Sequence, residues 1–422
     1  MNEPYTKYED NNKIVIMNPY SQSWIRLSKG RYLYYQNHQD EFKAQLEKHG
    51  MLLDKKLLDK VDIKSIYFAV TRKCNMSCKF CTMDSGPDVS TENDLTISEI
   101  KEILIPQIVK LNPNKIVVTG GEPLIRNDIE DILKILADSF ETRKIILQTN
   151  GLLLNKEKLD FIANYIGVLE ISTEHIFENP ILFHKMEPVF EASDMYRVLL
   201  SLSFVVDDNS VKYLPQVIDI CEKYNAALTI RIVSLLGRAR LENTNNQVLK
   251  EKNILKTYLN VLDYIIEKGY YNSNVAKAFI STPHVGSSCG AFGKVISLRQ
   301  DGDVYMCANF KAQRYCVGNI RTETLSNILT RLQDNLALED YQKEFNCTYN
   351  AQCRNCEVFG FCPGPCVAVV AENGESREDC MYKKALLKFN LFYYEYEKSM
   401  EYNIKLFRNY LAGTLERVEK RE

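Results

Sequence analysis

No apolar run in this 422-residue chain approaches the roughly 20 residues of a membrane-crossing helix. The start, Met1-Asn2-Glu3-Pro4-Tyr5-Thr6-Lys7, is polar and lacks the apolar core of a secretion signal. Membrane and secreted classes are thereby disfavoured, and a cytoplasmic setting is expected. No charge of one sign dominates: 53 Lys+Arg stand against 55 Asp+Glu. Such a balance gathers neither nucleic acid nor an anionic membrane surface. Histidine is scarce, and His38, His49, His175, His184 and His284 form no metal-ligand spacing. The one tryptophan, Trp24, reads as core packing. Internal repeats and low-complexity linkers are missing too. The chain is nevertheless 45% hydrophobic and 26% charged, which suits two or three folded domains of roughly 150 residues each.

Cysteine is what the chain has in excess: thirteen residues, an odd count. Disulfides rarely persist in the cytosol, so metal binding or catalysis is the better account. Three cysteines crowd into residues 74–81 and nine lie beyond 288. Cys221, alone between them, falls on a predicted helix and reads as a small buried hydrophobe.

Residues 1–60 suggest strands at Lys13–Met17 and Trp24–Leu27 around the Asn18-Pro19-Tyr20-Ser21 turn, then helices at Ser28–Tyr35 and Asp40–His49. That order suits a small winged-helix-like module, or a simple embellishment of the next domain. Over 61–280, strands at Ile66–Val70, Ile116–Thr119, Lys144–Gln148, Val168–Ser172, Val198–Val206 and Leu228–Val233 alternate with helices at Thr96–Lys110 (Ser98 as cap), Asp128–Ser139, Glu157–Tyr165 and Leu214–Tyr224. The stretch after Ser172 reads as irregular. Alternation of this length predicts an α/β fold, a parallel sheet forming an open or partly closed six-stranded barrel. Ligands then belong at the carboxyl ends of the strands. Residues 244–268 look helical, 281–385 are rich in Cys, Gly and turn residues, and 386–422 form a helical tail.

Directly after the first barrel strand, Cys74, Cys78 and Cys81 stand in C-x3-C-x2-C spacing. Three thiolates on one loop can hold a cubane iron–sulfur cluster and leave one iron without a protein ligand. A zinc loop completed by a distant Cys or His is the alternative. These residues, with Phe80 before the last cysteine, resemble the signature of radical S-adenosylmethionine (SAM) enzymes. The resemblance implies a [4Fe–4S] cluster whose open iron chelates SAM and whose electron cleaves it to methionine and a 5′-deoxyadenosyl radical. Gly120-Gly121-Glu122-Pro123, after the second strand, is similar to the family's GGEP segment and would hold the methionine amino group, the glycines allowing close approach to the ligand and the carboxylate accepting from the ammonium. Thr149-Asn150-Gly151 ends the third strand as in relatives. Ser172-Thr173-Glu174 ends the fourth, where relatives place a Ser and an Asp near the ribose; Glu174 here replaces the Asp. Gly237-Arg238-Ala239 resembles a turn common among relatives.

The later cysteines run C-x12-G-x4-C from Cys289 to Cys307, then Cys353-x2-Cys356-x5-Cys362-x3-Cys366 and Cys380. Their order resembles the SPASM extension of radical SAM enzymes, which carries two auxiliary [4Fe–4S] clusters. Two clean C-x2-C knuckles would favour zinc, and only one occurs. The resemblance implies that Cys353, Cys356, Cys362 and Cys380 bind an outer cluster and that Cys289, Cys307 and Cys366 bind an inner one. Val295 stands where several relatives have a further inner cysteine. Cys316 or Cys347 supplies the fourth inner ligand, or that iron is open to a substrate thiolate. The fold implied is a partial (β/α)6 radical SAM barrel with a SPASM domain, and three clusters in all.

Relatives with this extension mostly oxidise peptides or proteins. The implied function is oxidative modification of a ribosomally made precursor peptide, with a thioether cross-link expected. Carbon–carbon cross-linking, other protein oxidation and a small-molecule substrate are the alternatives. Sulfatase maturases usually carry Asp after the equivalent of Cys307; Ala308 here counts against that subgroup. A flavodoxin- or ferredoxin-type electron donor is expected, the N-terminal module would grip the peptide, and no nucleic-acid partner is expected.

Overall fold

The computed structural model describes residues 4–53, 61–241, 249–286, 289–345, 350–374 and 379–420. Its first sheet is built on a two-residue turn. Asn11 and Asn12 both take positive φ, 46° and 55°, the twist that closes a tight hairpin. They join β1 (Thr6–Asp10) to β2 (Lys13–Asn18), and β3 (Ser23–Ser28) completes an antiparallel sheet in the order β1-β2-β3. The polar strand β1 had no alternating apolar pattern to announce it. Two helices follow, Lys29–Gln36, capped by the Ser28 side chain, and Gln39–Lys48. The central strand is buried on both faces. Ile14 and Ile16 pack with Leu46 and Met51, while Val15 and Met17 pack with Val358, Phe361, Leu391 and Phe392. Trp24 meets the Phe361 ring edge-on and donates its indole N–H to the Pro283 carbonyl at 2.8 Å. The module therefore sits against the Cys-rich segment and the chain's final elements.

The second sheet has nine strands. Six are parallel and in chain order: β4 (Ser65–Ala69), β5 (Lys115–Thr119), β6 (Ile145–Thr149), β7 (Val168–Ser172), β8 (Leu199–Val206) and β9 (Ala227–Ile232). The expected α/β barrel half is thus present, open at β9. On its other side β10 (Val295–Leu298) pairs parallel with β4. An antiparallel turn-back through β11 (Asp303–Tyr305) and β12 (Cys316–Asn319) ends the sheet. The Cys-rich segment extends the barrel sheet instead of starting one of its own.

Several elements differ from expectation. The helix after the first cysteines starts at Ile97, and Thr96, not Ser98, caps it through a reciprocal pair with Glu99. It widens into a π-type turn over Ile100–Leu104 before resuming. The stretch read as irregular holds the helices Glu174–Phe177 and Pro180–Met195. Pro188 inside the second masked it, since proline ordinarily ends a helix. Part of the predicted helix at 244–268 falls on residues 244–248, outside the described residues; the described part runs Glu251–Lys268. The tail packs on that helix: Met400–Glu419 is held there by Arg408–Asp263 at 2.7 Å and Lys256–Glu419 at 2.9 Å. Among the described residues, no helix is long and apolar enough to cross a membrane.

Glu99 also reaches the Cys-rich extension. Its carboxylate receives Arg321 Nε at 2.6 Å and Nη2 at 3.1 Å, a two-pronged contact that holds its pKa down to about 2. A depressed carboxylate stabilises the fold above its unfolded pKa and loses that contribution as pH falls through the folded value. Glu99→Gln is expected to lower the melting temperature at neutral pH. The gap from wild type should close between the ordinary value of 4.5 and about 2; a pH series of thermal melts checks this.

Candidate active site

The loop carrying the first three cysteines is gripped from two sides. On one side are Gly120 and Gly121, at the tip of β5. A Cβ on Gly120 would collide with the Thr71 carbonyl oxygen, and one on Gly121 with that of Lys73. The space saved lets Gly121 N–H donate to Thr71 O at 2.8 Å and Glu122 N–H to Lys73 O at 2.9 Å. The glycines thus admit the cysteine loop's own backbone. On the other side is the Gly237–Arg238 turn. Gly237 takes φ +57° directly against the Cys81 carbonyl. Arg238 receives that carbonyl on its backbone N–H at 3.1 Å, and its guanidinium donates to Cys78 O at 2.8 Å and Ser85 O at 2.7 Å. The turn that resembles one common among relatives is half of the clamp.

Glu122 is fully buried. The carboxylate accepts from Thr149 Oγ1 at 2.7 Å, Asn150 N–H at 2.7 Å and Leu124 N–H at 3.0 Å. Those donors take three of the carboxylate's roughly four acceptor positions; the backbone of Gly120 and Gly121 lines the cavity. Pro123 is likewise buried, starting the turn Pro123–Ile125. Desolvation pushes the Glu122 pKa up, against the pull of its three donors.

Asn150 is the hub of the mouth. Its side chain donates to Asn75 Oδ1 at 2.7 Å and lies 3.8 Å from Cys74 Sγ. Its carbonyl accepts from His175 Nε2 at 2.8 Å, which fixes the proton on that nitrogen. Glu174 takes the Val205 N–H at 2.5 Å, and burial raises its pKa to about 7. Asn150, Ser172, Glu174 and Phe80 all line one cavity of about 930 Å³, together with Cys74, Cys78 and Cys81.

The same cavity reaches Cys289, Cys307, Cys366 and Val295. Burial and the neighbouring thiols push Cys307 up to about 11, as they do Cys78 in the first triplet. Without a cation these thiols stay protonated; a cationic iron centre would draw them to the thiolate form. Cys353, Cys356, Cys362 and Cys380 form a separate group that act on one another. Cys316 joins neither group: it sits on β12, its thiol 3.5 Å from the Gly318 carbonyl, where Asp303 and Asp301 are the charges that act on it. The strand's register opposite Tyr305 holds it there. Cys347 lies outside the described residues. Cys221 is buried against the sheet, as expected.

Sequence alone did not single out Tyr67, Gln148, Glu170, Ser203 or Arg231, which line the cavity from the barrel interior. The available signal was a charged residue inside an otherwise apolar strand, Glu170 in VLEIS and Arg231 in ALTIRI.

The radical SAM superfamily profile matches residues 68–197, and that of SPASM, an iron–sulfur cluster-binding domain, matches residues 289–357. The chain carries a radical SAM domain followed by a SPASM domain. Its cofactors are accordingly SAM and iron–sulfur clusters. Among solved structures, anSMEcpe with bound AdoMet superposes with a TM-score of 0.58 at 19% identity, over 83% of this chain and 98% of that one. SuiB of Streptococcus suis, bound to precursor peptide SuiA, gives 0.57 at 14%, over 88% and 98%. At these identities the likeness is one of fold. A probable GTP 3′,8-cyclase of Methanocaldococcus jannaschii is 30% identical over 177 residues, 40% of this chain, which spans only 58% of that relative's length.

Two substitutions probe this radical SAM site. Gly121→Ala should displace the Thr71–Lys73 backbone and cut cluster iron at the first triplet roughly tenfold, measured as iron per chain in a variant lacking the later cysteines. Glu122→Gln places an amide N–H₂ among three donors. A loss of about 3 kcal/mol is expected in anaerobic denaturant unfolding.

Proposed function

We propose that this enzyme oxidatively modifies a ribosomally made precursor peptide, joining a cysteine sulfur to carbon as a thioether. Cys74, Cys78 and Cys81 would hold the SAM-binding [4Fe–4S] cluster. Cys289, Cys307 and Cys366 would hold the inner auxiliary cluster, and Cys353, Cys356, Cys362 and Cys380 the outer one. When bound, these groups supply one-electron oxidation of a substrate carbon, the incompletely ligated inner one being open to a thiolate.

The observation that carries this reading is the shared cavity. It joins the first triplet to an inner set of three cysteines, with Val295 on its wall where a fourth ligand would otherwise stand and Cys316 held elsewhere. A peptide cysteine entering there meets both groups. About 930 Å³ is room for SAM and a peptide segment together. Ala308, next to Cys307, puts no carboxylate beside the inner set. The chain's own work is to hold SAM against the Gly120–Gly121 backbone, Asn150, Ser172, Glu174 and Phe80, and to keep water from the barrel interior.

The peptide class is further supported by the N-terminal sheet, whose polar edge strand β1 can accept an added strand, and by the fold shared with SuiB, solved with its precursor peptide. A flavodoxin- or ferredoxin-type protein would supply the electron. The curated GTP 3′,8-cyclase relatives favour a small-molecule substrate as the second reading, on the barrel alone.

The test is an intact mass. The chain is co-expressed anaerobically with the short precursor encoded beside its gene, and the peptide is weighed with and without thiol alkylation. Loss of two hydrogens together with one alkylatable thiol is expected. The same loss with every thiol free would move the bond to carbon. An unmodified peptide alongside SAM cleavage would overturn the peptide reading and favour the small molecule.

A further inference from the structure

Four consecutive barrel strands each send one polar side chain into the cavity, and the four are wired together. Gln148 on β6 donates to Glu170 Oε1 on β7 at 3.0 Å. Arg231 on β9 donates through Nη2 to the same oxygen at 2.9 Å and through Nε to Ser203 Oγ on β8 at 2.7 Å. Glu170 and Gln148 face each other in register, below the strand tips that carry Ser172 and Asn150. The layer lies deeper in the barrel than the rim where SAM would sit. Tyr67 on β4, a neighbour of Cys307, faces it across the chamber.

This layer holds no loop and joins no lobe. The strands are already paired along their backbones, and the Arg231 side chain is 49% accessible against 13% for Glu170, so the pair faces the open chamber and is not packed into the sheet's core. Two of its polar atoms have no partner among the described residues: the Nη1 donor of Arg231 and the Oε2 acceptor of Glu170. A donor beside an acceptor is the complement of an amide, whose carbonyl accepts and whose N–H donates.

We propose that Glu170 and Arg231 form a main-chain anchor for the substrate peptide, gripping one backbone amide between the first and inner cysteine triplets. The inference rests on the peptide reading above. It assigns to positioning what the cysteines cannot provide: the register that decides which residue's carbon faces SAM. A peptide fits the anchor whatever its side chains, so the site sets geometry, and sequence preference is left to the rest of the cavity and the N-terminal module.

The test titrates the reconstituted holoenzyme anaerobically with SAM, with the precursor peptide and with GTP, in wild type, Glu170→Gln, Arg231→Gln and Arg231→Lys. Loss of a charge-assisted hydrogen bond should weaken peptide binding roughly tenfold or more in both Gln variants. Arg231→Lys keeps the charge without the fork and should restore only part of it. SAM affinity should stay within about twofold, which also reports that the variants are folded. Peptide affinity unchanged in the variants would overturn the anchor and leave the maturase reading standing. SAM affinity falling in parallel would assign the layer to SAM and overturn it as well. If wild type binds GTP and not the peptide, the maturase reading fails first, and the anchor for a peptide falls with it.

Discussion

A buried carboxylate organises the mouth of this barrel. Glu122 is the meeting point of the β5 tip and the β6 tip, and its own backbone N–H pins the loop that carries the first cysteines. An ionised side chain without water is costly unless its lone pairs are taken, and here three donors take them. Remove any one and the others are left holding a desolvated charge. The hub at Asn150 inherits its position from this arrangement, because the same residue gives Glu122 its backbone N–H and Asn75 its side-chain amide. The orientation of Cys74 and the tautomer of His175 follow in turn.

The two lobes are one sheet, and that fixes the distance between cysteine groups. β10 continues the ladder from β4, so Ser297 stands beside Tyr67 in register. Arg299, at the end of β10, reaches the carbonyls of Ala308 and Phe310 on the far side of Cys307 and the Met83 sulfur just beyond Cys81. Separation of the first and inner triplets is therefore set by strand pairing and a buried guanidinium.

Much of this was legible in the sequence, for identifiable reasons. Barrel strands such as KIVVT are short apolar runs that only a doubly covered parallel sheet explains, and thiol spacing encodes local loop geometry directly. What stayed hidden depends on the far end of an interaction. Gly120 and Gly121 are visible as glycines, but that they admit Thr71 and Lys73 is a tertiary fact. Glu122 is visible as an acid, but that it joins the β5 and β6 tips through Thr149 and Asn150 is not. Arg238 reads as a surface turn until the Cys78 carbonyl is found under it. Glu170 and Arg231 lie about sixty positions apart, and the pairing of β7, β8 and β9 in one sheet makes them neighbours.

The N-terminal sheet is fastened to the outer cysteine loop across most of the chain's length. Tyr8 donates to the Phe359 carbonyl at a separation of 351 residues, and Gly360 takes φ +81° where Met17 presses against it. Strand β1 therefore docks only once the segment around Phe359 is in place. Closing so long a loop is slow, and the loop that receives it takes its shape from Cys353, Cys356 and Cys362. On the proposed ligation, iron loading and N-terminal docking would be thermodynamically linked: whatever stabilises the outer loop tightens its hold on the sheet, and a docked sheet stabilises the outer loop in equal measure.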